Sequence, residues 1–225
     1  MVDVVIPTFN EETRIAELLE RLRRACPQAR LIFVDNASTD RTVEILTAAG
    51  EQVIRHERNL GYGRSLRDGI AAGVGDLVAT IDADLEYPPE CLPDLLAGLK
   101  THAIVYGSRL EPGTPVFQGL RAAGNRLLTR LFNLLYGQHL GDLYTGVKAF
   151  RRSAVEDVSF HRDGFVFVLE FASKLARQGH DFGNVPIDYE PRRSGSSKMR
   201  HVTETAKALF FMIYYRLIPL TFCRR

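Results

Sequence analysis

The chain lacks the features that mark several protein classes. Its three cysteines, Cys26, Cys91 and Cys223, are far apart and odd in number. That spacing excludes a disulfide framework or a clustered cysteine zinc site, and it predicts buried free thiols in a reducing compartment. The net charge of +2 in 225 residues is too small for a nucleic-acid binder, so no nucleic-acid partner is expected. The N-terminus, Met1-Val2-Asp3-Val4-Val5-Ile6-Pro7, has neither a basic leader nor a long apolar run. No signal peptide is expected, and the active site is placed in the cytoplasm. No glycine-rich, lysine-bearing phosphate loop follows the first apolar run; Pro7-Thr8-Phe9-Asn10-Glu11 stands there instead, which argues against a nucleotidyltransferase. The apolar run Ala208 to Phe222 is broken by Arg216 and Pro219. It is shorter than the roughly 20 residues a spanning helix needs. Internal repeats, linkers and low-complexity tracts are absent too.

What is present is a rhythm of apolar runs and helical patterns. Strands are predicted at 2–6, 31–34, 52–56, 77–81 and 103–106. Between them, helices are predicted at 11–24, 40–49, 63–73 and 89–99. Alternation of this kind implies βαβ units, a mostly parallel sheet and a nucleotide-binding α/β half over residues 1 to about 110. After Arg109 the rhythm changes. Glu111-Pro112-Gly113-Thr114-Pro115 reads as a loop, followed by a long amphipathic helix at 120–136. Asp142 to Phe150 reads as a loop entering a short strand. A helix at 165–178, a strand at 183–189 and a basic loop, Pro191 to Lys198, complete the series.

The most informative segment is Thr80-Ile81-Asp82-Ala83-Asp84-Leu85-Glu86, two aspartates two residues apart at the end of a buried strand. Carboxylates at that edge of an open α/β sheet stand where such sheets bind ligands. Asp82, Asp84 and Glu86 can converge on a hard divalent cation that also holds substrate phosphates. Four more clusters fall at strand ends: Pro7 to Glu12, Val34 to Thr42, the N-x-G-x-G turn Asn59 to Gly63, and Gly107-Ser108-Arg109. Each has a purely structural reading, with Asn10 or Asp40 as a helix cap and Gly61 and Gly63 as positive-φ turn residues. All of them, in this order at strand ends, point instead to one site.

These motifs resemble family 2 glycosyltransferases of the GT-A fold, a Rossmann-like α/β architecture with a mostly parallel central sheet flanked by helices. Pro7-Thr8-Phe9-Asn10-Glu11, Val34 to Asp40, the N-x-G-x-G turn and Asp82 to Glu90 carry the likeness. Gly107-Ser108-Arg109, Thr145 to Phe150 and Gly195-Ser196-Ser197-Lys198-Met199 are similar to the polyprenyl-phosphate branch, exemplified by dolichyl-phosphate mannosyltransferase. The resemblance runs from about residue 2 to 216.

The resemblance implies roles. Pro7, Phe9, Glu11, Asp35, Asn36, Asp82 and Ala83 would bind the nucleotide-sugar, and Asp82, Asp84 and Glu86 would hold Mg²⁺ or Mn²⁺. Arg109, Arg121, Arg193 and Lys198 would bind the acceptor phosphate, and Asp84, Arg109 and Asp142 would act in catalysis. Asp142 stands as a base or, equally, as a loop acid. Asn36 replaces an aspartate frequent in the family, and Glu86 replaces the branch's usual glutamine.

The implied reaction is metal-dependent, inverting transfer of a hexose to a polyprenyl phosphate, from GDP-mannose first and UDP-glucose next. A phosphate acceptor is already an anionic nucleophile, so a strong base is dispensable. A divalent cation and guanidinium groups can stabilise the leaving diphosphate. Residues 1–200 would form the GT-A domain, with a nucleotide-sugar half at 1–110 and an acceptor half at 111–200. Residues 201–225 would form an amphipathic helix, either interfacial, with Tyr214 and Tyr215 in the headgroup region and peripheral contact at the cytoplasmic face of a membrane, or packed as a core or dimer helix. The alternatives are a soluble or polysaccharide acceptor, a nucleotidyltransferase, or a non-catalytic nucleotide-sugar binding module.

Overall fold

The computed structural model describes residues 1–110, 120–190 and 201–219, and only the helical backbone for residues 120, 121 and 201–206. Seven strands form one sheet: β1 (Val2–Thr8), β2 (Arg30–Asp35), β3 (Val53–Arg55), β4 (Leu77–Thr80), β5 (Ile104–Ser108), β6 (Lys148–Arg151) and β7 (Phe182–Pro186). Their spatial order is β3-β2-β1-β4-β6-β5-β7. Pairing is parallel except at β6, which lies antiparallel between β4 and β5. The expected mostly parallel sheet is therefore present, with a reversed strand inserted beside the acidic motif. Register places Lys148 opposite both Thr80 and Tyr106.

The helices are α1 (Ile15–Ala25), α2 (Thr42–Ala48), α3 (Tyr62–Ala72), α4 (Leu92–Gly98), α5 (Leu120–Tyr136), α6 (Phe167–Arg177) and α7 (His201–Leu217). Strand residues alternate between two cores, as the period of two requires. Val4 and Ile6 pack under Ile15 and Leu18 of α1, Leu46 of α2 and Leu92 and Leu95 of α4. Val5, Val34 and Phe150 pack under Leu66 of α3, Phe132 of α5, Phe171 of α6 and Met212 of α7.

Several predicted helices are trimmed at their ends, most at the starts of α1 and α4. The one expected from Glu11 starts at Ile15, because residues 11–14 turn tightly and Glu11 O accepts from both Arg14 and Ile15 N–H at 2.9 Å. The one expected from Pro89 opens as a 3₁₀ turn, Pro89–Cys91, before α4 begins.

Candidate active site

The C-terminal ends of β1, β2 and β4 and the reversed entry of β6 meet at one edge of the sheet. The loops after β1 and β2 are laced together. Asn10 N–H donates to Ser38 Oγ at 2.9 Å, Thr39 N–H to Asn10 Oδ1 at 2.8 Å, and Glu11 N–H to Thr42 Oγ1 at 2.8 Å. Asp40 is not a simple cap: its oxygens accept from Glu12 N–H at 3.0 Å and from the Thr42 hydroxyl at 2.6 Å. Asn10, Ala37 and Leu85 have positive φ values of 57°, 66° and 59°. Non-glycine residues adopt that conformation only where the surroundings impose it, and all three flank the proposed ligand cluster.

Pro7 and Phe9 are half-buried and Glu11 is buried, all on this edge. Asp35 is fully buried; Oδ2 accepts Ser38 N–H at 3.1 Å, while Oδ1 has no hydrogen-bond partner. A buried carboxylate oxygen in that state needs a donor. Asn36 behaves differently. Its Oδ1 accepts Leu60 N–H at 2.8 Å and meets His56 Nδ1 at 3.1 Å, and its Nδ2 donates to Asn59 Oδ1 at 2.9 Å. Asn36 pins the N-x-G-x-G turn, a use its sequence position does not reveal.

Asp82 and Asp84 leave the end of β4. Asp82 Oδ1 accepts the Tyr62 hydroxyl at 2.8 Å, and Asp84 Oδ1 accepts Glu86 N–H at 3.0 Å. Glu86 Oε2 accepts the Tyr189 hydroxyl at 2.7 Å. Ala83 between them is tucked into the core. Burial, and then the neighbouring Asp84 charge, push the Asp82 carboxyl up to about 7. Lys148, buried behind Asp82, is pushed down to about 8 by burial, against the pull of Asp82. Its ammonium donates to Thr145 O at 3.0 Å and lies 5.4 Å from the Tyr106 ring centre. Gly146 forms the opposite wall: a Cβ there would stand 2.0 Å from Asp82 Oδ2.

Among the described residues, no three His, Cys, Asp or Glu side chains are grouped to hold a metal ion on their own. The expected three-carboxylate set is thus not preassembled among the described residues; Asp82 Oδ1 accepts from Tyr62 and Glu86 Oε2 from Tyr189. The donor chemistry still fits Mg²⁺ or Mn²⁺ arriving with a diphosphate, since such ions take one or two carboxylates plus phosphate oxygens. The Asp82 carboxyl, raised first by burial and then by the Asp84 charge, is one whose ionised form a cation would favour.

Arg109 and Asp142 are brought together, with each other. Asp142 is fully buried and holds the guanidinium in a fork, Nε to Oδ2 at 2.6 Å and Nη2 to Oδ1 at 3.1 Å. Oδ1 also accepts Asn125 Nδ2 at 2.7 Å and Tyr144 N–H at 3.2 Å. The Arg109 guanidinium sits between the rings of Tyr87 and Tyr189, 5.4 and 5.3 Å from their centres. In this structure the Asp142 oxygens are engaged by Arg109, Asn125 and Tyr144 N–H. Arg109 is a buried cation anchored by this pair. The side chain of Arg121, and Arg193 and Lys198 entirely, lie outside the described residues.

Tyr62, Lys148, Tyr189 and Asn125 were not singled out as site residues. Tyr62 had a signal in its position inside N-x-G-x-G; Tyr189 and Asn125 had none. The turn's glycines answer to close approach as well as dihedral freedom. Gly61 has φ +100°, and a Cβ on Gly63 would meet Arg162 O at 2.5 Å and Phe167 Cβ at 2.4 Å.

The chain is similar to known proteins in sequence and in fold. A profile of glycosyl transferase family 2 matches residues 3–159. A dolichyl-phosphate hexose transferase of Haloferax volcanii is 33% identical over 198 residues, 87% of this chain and 85% of its own length. An undecaprenyl-phosphate 4-deoxy-4-formamido-L-arabinose transferase of an Enterobacter strain is 29% identical, with 88% of this chain aligned to 62% of that protein. The chain thus spans under two thirds of that relative's length. In fold, glucosyl-3-phosphoglycerate synthase of Mycobacterium tuberculosis, solved with Mn²⁺, UDP and phosphoglyceric acid, superposes with a TM-score of 0.75 at 23% identity. The match covers 97% of this chain and 79% of that one.

Proposed function

The chain belongs to glycosyl transferase family 2, and on that footing we propose that it transfers a hexose from a nucleotide-diphosphate sugar to a polyprenyl phosphate. The observation that carries this reading is the crowded Asp82–Asp84 pair at the end of β4, facing the Gly146 wall. The names of the relatives, which act on dolichyl and undecaprenyl phosphates, support the acceptor class. GDP-mannose is the favoured donor and UDP-glucose the next.

In this reading the loops after β1 and β2 hold the base and ribose, with the unpartnered Asp35 oxygen accepting an N–H of the base. Asp82 and Asp84, with Glu86 as the third acid, would hold Mg²⁺ or Mn²⁺, which when bound would neutralise the donor diphosphate. An oxygen of the acceptor phosphate attacks the anomeric carbon as the bond to the diphosphate breaks, and the bonding pair leaves with the diphosphate. The nucleophile enters as an anion, so no side chain need remove a proton. One displacement inverts the anomeric centre. Residues 1–110 serve the donor, 111–200 the acceptor.

Among the described residues no helix is long and apolar enough to cross a membrane. Helix α7 nonetheless has two apolar faces. Ala208, Met212 and Tyr215 are buried, and Phe210, Ile213 and Leu217 are 62%, 54% and 76% exposed. With Tyr214 and Ile218 the exposed residues line an open apolar depression of about 400 Å³. This face supports peripheral contact with the cytoplasmic leaflet that carries the lipid acceptor. Tyr215 has no part in that contact, because it points inward and its hydroxyl accepts Arg162 Nε at 3.0 Å.

Thermal-shift titration with GDP- and UDP-sugars, with and without Mn²⁺, tests the donor reading, since selective binding raises the melting temperature by mass action. Transfer of labelled sugar to a short polyprenyl phosphate tests the acceptor. Binding without transfer to any polyprenyl phosphate would direct the search to another acceptor; no nucleotide binding would sink the reading. Phe210→Ser with Ile213→Ser is expected to abolish sedimentation with anionic vesicles while leaving nucleotide binding intact.

A further inference from the structure

We propose that Tyr62 and Phe165 are a positioning pair for the carboxylate site: the Tyr62 hydroxyl fixes the orientation of Asp82, and Phe165 holds the phenol ring that carries it. The inference rests on the donor-binding reading above and adds two residues to it.

Tyr62 opens α3 and reaches across to Asp82 Oδ1 at 2.8 Å. Its ring stacks on Phe165, with centres 5.1 Å apart and planes at 16°. A tyrosine placed for packing alone can leave its hydroxyl in water; this one spends it on the first aspartate of the D-x-D pair. Phe165 is 48% exposed, so the stack adds little to the core. With Oδ1 held by Tyr62, Oδ2 faces Gly146, the wall where no Cβ is tolerated. The carboxylate is therefore held from two sides in one rotamer, which is what a ligand-binding acid requires of its supporting groups.

Phe165 is itself held. The strap at 159–165 is fastened from below by α6, where the Glu170 carboxylate accepts His161 N–H at 3.0 Å and Arg162 N–H at 2.8 Å. Lys174 of α6 donates to Ser159 O and pairs with Glu170 at 2.7 Å. Helix α3 grips it from the side: Arg67 donates to Phe160 O at 2.7 Å, and Arg64 N–H to Asp163 O at 2.9 Å. Helix α7 closes it through Arg162, which bonds Tyr215 and lies 4.7 Å from the Phe211 ring centre. The strap's approach to Gly61 and Gly63 accounts for both glycines of the turn. The second half of the chain thereby shapes an acid of the first.

The test is calorimetric titration of Mn²⁺, and of UDP and GDP in its presence, into full-length wild type, Tyr62→Phe, Phe165→Leu and Phe165→Tyr, with melting temperatures alongside. Tyr62→Phe keeps the ring and removes one hydrogen bond to the Asp82 carboxylate, so the half-saturating Mn²⁺ concentration should rise about tenfold with only the small fall in melting temperature that one lost hydrogen bond brings. Phe165→Leu should shift it the same way by less, and Phe165→Tyr should restore it. A Tyr62→Phe protein that binds Mn²⁺ and nucleotide as the wild type does would overturn the inference alone. So would loss of affinity in step with loss of melting temperature, which marks a packing role. Wild type that binds neither nucleotide overturns the donor reading and this inference with it.

Discussion

Two acid centres lie side by side at the same end of the sheet, and their charge is handled in opposite ways. Asp142 meets a forked guanidinium, an amide and backbone N–H groups, so its lone pairs are used and its charge is cancelled. At Asp82 and Asp84 two carboxylates crowd each other, with the Tyr62 hydroxyl on Asp82 Oδ1, Glu86 N–H on Asp84 Oδ1 and one buried ammonium behind. The two are bridged by Tyr189, whose hydroxyl goes to Glu86 and whose ring faces Arg109. A cancelled acid holds structure, because removing one partner strands the other in low dielectric. A crowded one costs stability until a cation arrives, and is retained for what it binds.

The widest separation between the two centres is expected in activity. Asp84→Ala should lower transfer by roughly 10²–10³-fold or more while the melting temperature stays close to that of the wild type, since a ligand-facing acid rather than a structural one is removed. Transfer assays beside thermal unfolding check this, and a variant that works fully in excess EDTA would erase the distinction. Asp142→Ala should do the reverse. It leaves Arg109 buried and unpaired and should cost about 3–5 kcal/mol in denaturant unfolding. A stable Asp142→Ala protein that has lost only turnover would return Asp142 to the role of base.

The smallest effect is in pH dependence. Asp82 titrates at about 7 in the fold and at its ordinary 3.8 when unfolded, raised by burial and then by Asp84. Between those values the folded state holds a proton that the unfolded chain has released, so this group favours folding at low pH and that support is lost as pH rises through about 7. In cation-free buffer, the stability of wild type relative to Asp82→Asn should therefore decline from pH 4 to 7 and level off above. Mn²⁺ displaces the same proton, so its affinity should climb over that window. A pH-independent difference between the two proteins would mean that the Asp82 carboxyl is not raised in the fold.

The alternation of apolar runs and helices made the parallel half legible, and β1 to β4 with α1 to α3 follow within a few residues, because a buried strand and an amphipathic helix each carry their own period. The strand-end position of Asp82 and Asp84 followed from the same pattern. Where β6 inserts was not legible. Lys148-Ala149-Phe150-Arg151 reads as a short strand in either direction, and only pairing with both β4 and β5 makes it antiparallel and sets Lys148 behind Asp82.

The site divides along the same line. Residue types and spacing by themselves determined the α/β fold, the family and the carboxylates at the end of β4, since these depend on local periodicity and on motifs within a few residues. Tertiary structure alone decided that Arg109 is held by Asp142, that Asn36 pins a turn, and that Tyr62 and Tyr189 reach the acidic loop. Those contacts join residues 20 to 103 positions apart. A buried charge is satisfied by whichever donor the packed chain brings within about 3 Å, and no spacing along the chain records which donor that is.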